Sequence, residues 1–134
     1  GSAAKLALTA TLEQPGVELQ RTGVATLMQF RNTAPVCDYF YSTVARDLQS
    51  RDPLPHTSTP RNGVALAVLL SSDLPMIREE LEERLERLAD SDLPMPVVWI
   101  AAVDQLGNQN SELGLDVLTR LTKTTASARH FGFR

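Results

Sequence analysis

The chain has 134 residues, 43% hydrophobic and 22% charged, with 13 Lys and Arg against 16 Asp and Glu for a formal net charge of −3. These are the proportions of an ordinary globular domain, and they exclude disorder and collagen-like repetition. No apolar run approaches the roughly 18 residues a membrane-spanning helix needs, and a chain this long buries about two-thirds of its unfolded surface, enough for one core and hence one domain over residues 1–134.

The opening Gly1-Ser2 reads as a protease-cleavage scar, which points to a domain cut from a longer protein. Residues 5–12 alternate, with Leu6, Leu8, Ala10 and Leu12 on one side and Lys5, Ala7, Thr9 and Thr11 on the other; period two predicts a strand with one buried face. Gln14-Pro15-Gly16 supplies a turn. Residues 17–21 would return as a second strand, with Val17 and Leu19 inward. After Gly23, residues 24–30 read as a third strand through Val24, Thr26, Met28 and Phe30, although Val24, Leu27 and Met28 also fit a helix. Thr33 can cap a helix carrying Pro35 in its first turn, where a missing N–H costs little. Val36, Phe40, Val44 and Leu48 then recur every four residues, a helical stripe ending near Ser50.

Residues 52–63 hold three of the eight prolines and read as a loop. The seven apolar residues 64–70 predict a strand covered on both faces. Residues 76–89 predict a helix with Ile77, Leu81, Leu85 and Leu88 as its buried stripe, supported by the i,i+4 pairs Glu80–Arg84 and Glu83–Arg87. Residues 97–103, with Trp99 inside, form the second apolar run. Asn110 or Ser111 can start a last helix through Leu113, Val117, Leu118 and Leu121, and residues 128–134 read as a short strand or a frayed end. Ser72-Asp73-Leu74-Pro75-Met76 recurs as Ser91-Asp92-Leu93-Pro94-Met95, but the two copies flank one helix and do not define a repeat.

The order β-β-β-α-β-α-β-α predicts a three-layer α/β or α+β domain: an N-terminal β-meander, then β-α-β-α, in a mixed sheet flanked by helices. In element order alone this is similar to the ribonuclease H-like topology, and no motif accompanies the similarity. Two-metal phosphoryl chemistry would need carboxylates on the first strand. That strand offers Thr9 and Thr11, with Glu13 only at its end, so an active nuclease is not expected.

The basic residues are scattered, which argues against nucleic acid as a partner. Acidity concentrates in residues 71–95, where 3 basic and 8 acidic groups give −5. Cys37 is the sole cysteine, so no internal disulfide can form; a lone thiol points to the cytoplasm. It lies on the apolar side of a predicted helix, which suits a core residue better than a nucleophile. His56 lies in the proline-rich loop and His130 near the end of the chain, with no nucleophile-elbow spacing beside either. The cysteine and histidines have no zinc-ligand spacing, and the isolated glycines form no phosphate-binding loop. No catalytic residue, metal or cofactor is therefore expected.

Two kinds of site remain. Ligands collect beyond the carboxyl ends of strands in α/β sheets. Parallel strands at 64–70 and 97–103 would bring Ser71, Ser72, Asp73, Asp104, Gln105 and Asn108 to one rim, with Ser72 or Asp73 at a helix N-terminus that favours an anion. The plainer reading makes Ser72 and Asp73 a helix cap. For a macromolecular partner, the acidic helix presents Glu79, Glu82, Glu83 and Glu86, and an edge strand at 5–12 could self-associate by strand pairing. The favoured expectation is a non-catalytic protein–protein interaction or assembly domain of a larger cytoplasmic protein. The alternative is a small-molecule or phosphoester-processing enzyme acting at Ser71, Ser72, Asp73 and Asp104.

Overall fold

A computed structural model describes residues 2–89 and 93–123, and every regular element among them is an α-helix: α1 (Ser2–Leu12), α2 (Val17–Met28), α3 (Ala34–Val44), α4 (Thr59–Leu70), α5 (Pro75–Ala89), α6 (Val97–Asn108) and α7 (Glu112–Thr122). The expected α/β domain, its β-meander, its mixed sheet and its ribonuclease H-like order are thereby overturned. The 128–134 segment and His130 lie outside the described residues. No helix among the described residues is long and apolar enough to cross a membrane.

The N-terminal meander fails on its period. Seven of the eleven residues of α1 are Ala or Leu, both strong helix formers. Its buried residues are Ala4, Leu8 and Thr11, spaced by four and three, whereas Leu6, central to the alternating pattern, is 69% exposed. Buried Thr11 is satisfied by donating its hydroxyl to the Ala7 carbonyl at 2.8 Å. The predicted turn is real: Gly16 has φ +96°, a conformation that favours glycine, and joins α1 to α2. In α2 the core face is Val24, Leu27 and Met28, the helical alternative for that stretch, while Val17 and Leu19 are exposed.

Prolines mark the starts of the remaining core helices. Pro35 and Pro60 lie in the first turns of α3 and α4, Pro75 opens α5 and Pro96 precedes α6. A helix start tolerates proline because its first amides have no intrahelical acceptor and its φ is preset. In α3, Thr33 stands at the N-cap position and Cys37, Phe40 and Val44 are fully buried. The helix ends at Val44, and turns carry the chain on to a fully buried Leu48. Helix α7 starts at a working cap, with the Ser111 hydroxyl accepting the Gly114 amide at 3.0 Å.

Helix α4 is the axis of the fold. Residues 62–72 are all buried, because α6 and α3 pack along it most extensively and α1, α2 and α5 cover the rest. A helix apolar on every side is stable only when enclosed in this way. The same enclosure accounts for the unbroken run at 64–70 without any sheet. Helix α6 buries Val98, Trp99, Ala102 and Leu106, spaced as one helical face. Burying each large aliphatic or aromatic side chain here contributes about 1.5–3 kcal/mol.

Close approach and two polar ties fix this packing. A Cβ on Gly63 would stand 2.7 Å from the Ala101 Cβ and 3.2 Å from its carbonyl carbon, so the α4–α6 crossing is built around a missing side chain. The buried Trp99 indole donates from Nε1 to the Leu48 carbonyl at 2.8 Å, joining α6 to the end of the α3 segment. Arg120 Nη2 donates to the Leu70 carbonyl at 2.6 Å and so satisfies the C-terminus of α4 from α7.

Candidate partner-binding groove

The strand-end rim has no sheet to form it. Ser71 is the buried C-cap of α4, and its hydroxyl donates to the Ala67 carbonyl at 2.9 Å. Ser72 is also buried; its Oγ accepts the Leu74 amide at 3.1 Å and faces the Cys37 thiol at 3.9 Å. Asp73 is exposed, with its amide donating to Asn32 Oδ1 at 2.7 Å and its carboxylate 3.5 Å from Arg78. These interactions shape the turn into α5. Among the described residues neither side chain accepts an amide hydrogen within that helix, so the expected helix cap is not formed. Asp104, Gln105 and Asn108 all lie within α6, with Asp104 and Asn108 exposed. Among the described residues no hydrogen bond or ion pair joins them to Ser71, Ser72 or Asp73. Nor does any group of three His, Cys, Asp or Glu side chains converge among the described residues in a way that could hold a metal ion.

Cys37 is fully buried, and its thiol donates to the Arg31 carbonyl at 2.9 Å. Burial pushes its pKa up, away from the thiolate form that nucleophilic chemistry uses.

The acidic helix is where the sequence pattern places it. Leu81, Leu85 and Leu88 seat α5 on the core. Glu79, Glu82, Glu83 and Glu86 are exposed on its outer side, and of these Glu83 is engaged by Arg87 at 2.6 Å. Glu79, Glu82 and Glu86 have no ion-pair partner among the described residues.

Beside this acidic face lies a groove that the sequence pattern did not reveal. Its floor and walls are Ala34, Asp38, Tyr41 and Ser42, one face of α3, and Leu74, Pro75, Met76, Ile77 and Glu80 from the start of α5; its volume is about 610 Å³. Met76 is 84% exposed over it, a large apolar side chain left in water between α3 and α5. The signal available in sequence was Leu74-Pro75-Met76-Ile77, a run with more apolar residues than the first turn of a one-sided helix needs.

One end of the groove is braced by a polar cluster. The Tyr41 hydroxyl donates to Glu80 Oε1 at 2.9 Å, and Arg84 Nε donates to the same oxygen at 2.9 Å. Both bonds favour the ionised carboxylate, the tyrosine contribution first, and they hold the Glu80 pKa below the usual glutamate range. A depressed carboxylate pKa adds stability above the ordinary glutamate value, and that contribution is lost as the pH falls through the folded-state pKa. Tyr41→Phe should therefore raise the Glu80 pKa toward its ordinary value and weaken the link between α3 and α5 at neutral pH, a difference from the parent that vanishes once acid protonates Glu80. A carboxyl-carbon NMR titration reads the first effect directly; an unmoved Glu80 titration would show that the hydroxyl does not act on it.

Comparison with known proteins finds no matching family model, no similar curated protein and no similar solved structure.

Proposed function

We propose that this domain is a non-catalytic protein-interaction module whose α3–α5 groove receives an apolar helical segment of another protein, flanked by basic residues. The observation that carries this reading is the apolar trough of Ala34, Leu74, Pro75, Met76 and Ile77 edged by the carboxylates of Asp38 and Glu80. The exposed Glu79, Glu82 and Glu86 extend the same sign of charge along α5. Apolar side chains entering the trough would supply affinity, and complementary charge would select the partner and speed encounter. Self-association by strand pairing at residues 5–12 is no longer available, since that segment is α1.

The test is fluorescence anisotropy with two helical peptides of equal apolar content, one with Lys and Arg flanks and one with Glu flanks. The basic peptide should bind, and Met76→Glu should weaken it at least ~10-fold, the equivalent of about 1.4 kcal/mol. Asp38→Lys should shift preference toward the acidic peptide. If neither peptide binds, or if both variants bind as the parent does, the groove is not the docking site.

A further inference from the structure

A second concavity, of about 210 Å³, lies at the other end of α3, between the turn that follows it, the proline-rich loop and the start of α4. Its lining carries more charge than that of the groove. Arg46 and Arg61 line it together with Asp47, Asn62, Ser58 and the Ser42–Thr43 edge of α3, and Leu54 and Pro55 of the loop complete the wall.

The hydrogen bonding in this pocket separates its charges. Asn62 is 2% exposed, and its Nδ2 donates to Asp47 Oδ2 at 2.7 Å. The Asn62 Oδ1 in turn accepts from Arg61 Nε at 3.1 Å. One buried amide thus occupies an oxygen of the only carboxylate in the lining and steadies the arginine by its inner nitrogen. The terminal nitrogens of Arg61 remain available. Neither Arg61 nor Arg46 has a carboxylate within ion-pair distance among the described residues. The Ser58 hydroxyl makes no cap bond to α4, whereas those of Ser42 and Thr43 donate to the Tyr39 carbonyl at 2.7 and 2.9 Å. Two arginines and a serine whose hydroxyl makes no cap bond thus line a pocket in which Asp47 is the one carboxylate, giving it a positive formal charge on a chain whose net charge is −3.

We infer that this pocket binds a small phosphate-type dianion through Arg46, Arg61 and Ser58. Guanidinium forks match the paired oxygens of a phosphoryl group and stay charged at any physiological pH. The volume selects among phosphate compounds. It falls short of the roughly 300–1,000 Å³ of pockets that enclose drug-sized ligands, so it suits inorganic phosphate or a small phosphate monoester and not a whole nucleotide. This inference is independent of the α3–α5 groove.

Amide NMR titration of the intact chain with inorganic phosphate at pH 7.5, against sodium chloride at matched ionic strength, provides the test. Saturable shifts at Arg46, Ser58, Arg61 and Asn62 are expected with phosphate and not with chloride. Glycerol phosphate and inorganic phosphate, run in parallel, separate a monoester site from one for the free ion. Arg61→Gln and Arg46→Gln remove the two charges, and circular dichroism checks their fold. Each should weaken phosphate binding at least ~10-fold, and the double variant should abolish it. Equal responses to phosphate and chloride, or a well-folded double variant that still binds, would overturn the assignment.

Discussion

Trp99→Ala is expected to destabilise the domain by about 4 kcal/mol or more. Truncating a large buried aromatic costs about 3–5 kcal/mol in lost burial and cavity formation. Trp99 is fully buried and is the largest of the fully buried side chains among the described residues. Its removal also strips the Leu48 carbonyl of the indole donor at 2.8 Å, and an unsatisfied buried acceptor costs a further ~1–3 kcal/mol. Native domains hold only about 5–15 kcal/mol in total, so the variant should melt at least ~10 °C below the parent. Trp99→Phe, which keeps most of the volume and loses the donor, should fall between the two. A Trp99→Ala melting temperature within a few degrees of the parent would show that α6 does not sit on α4 as described.

Gly63→Val should cost about 3 kcal/mol, for the opposite reason. Here atoms are added where α4 and α6 touch, and the nearest obstacle includes the Ala101 backbone at 3.2 Å, which yields only if a whole helix moves. Overpacking of this kind costs about 1–3 kcal/mol and occasionally more. Gly107, inside α6, is the contrasting case: a Cβ there would meet nothing within 4 Å. Gly107→Ala should therefore raise the melting temperature, since a glycine inside a helix costs up to about 1 kcal/mol relative to alanine. Opposite signs at the two glycines in thermal melts would establish the tight crossing; equal signs would refute it.

These two variants also show what the sequence did and did not disclose. Helices with one wet face could be read directly. Phe40 and Val44 on α3, Leu81, Leu85 and Leu88 on α5 and the Ser111 start of the last helix all reappear in the structure. Helix α3, however, stops at Val44, short of the expected end near Ser50, and Leu48 is buried from the turns beyond it; Val36 and Ile77 are only half-buried. The two fully apolar runs could not be assigned from periodicity. The run in α4 is enclosed on every side and has no polar face to display its period, and the run in α6 does have an outer face, but its exposed positions Val97 and Ile100 are themselves apolar. Proline was the discriminating signal. Pro60 lies four residues before Val64 and Pro96 directly before Val97, the positions from which helices start and where a central strand has no need of them. Gly63, which bounds the predicted strand, belongs to a helix and is there for closeness, not for breaking. In α1, the alternation of Leu6, Leu8 and Leu12 competed with an equally good spacing of Ala4, Leu8 and Thr11, and the helix-forming content of the segment settled it.

The candidate sites were legible only in part. The acidic residues of α5 could be named from composition, but the groove beside them takes its walls from two helices, and the Asn62 bridge between Asp47 and Arg61 links residues 15 apart in the chain. Neither arrangement leaves a local pattern. The rim joining Ser71, Ser72 and Asp73 to Asp104 depended wholly on a sheet, and went with it.

The sheathing of α4 has a consequence for how the molecule comes apart. Its middle turns reach solvent only after the helices around them have let go, whereas α5, seated along a single stripe, can lift away while the rest stays folded. Unfolding should therefore proceed from the periphery inward, with the side that carries the groove loosening early and the innermost amide protons traded with water last of all.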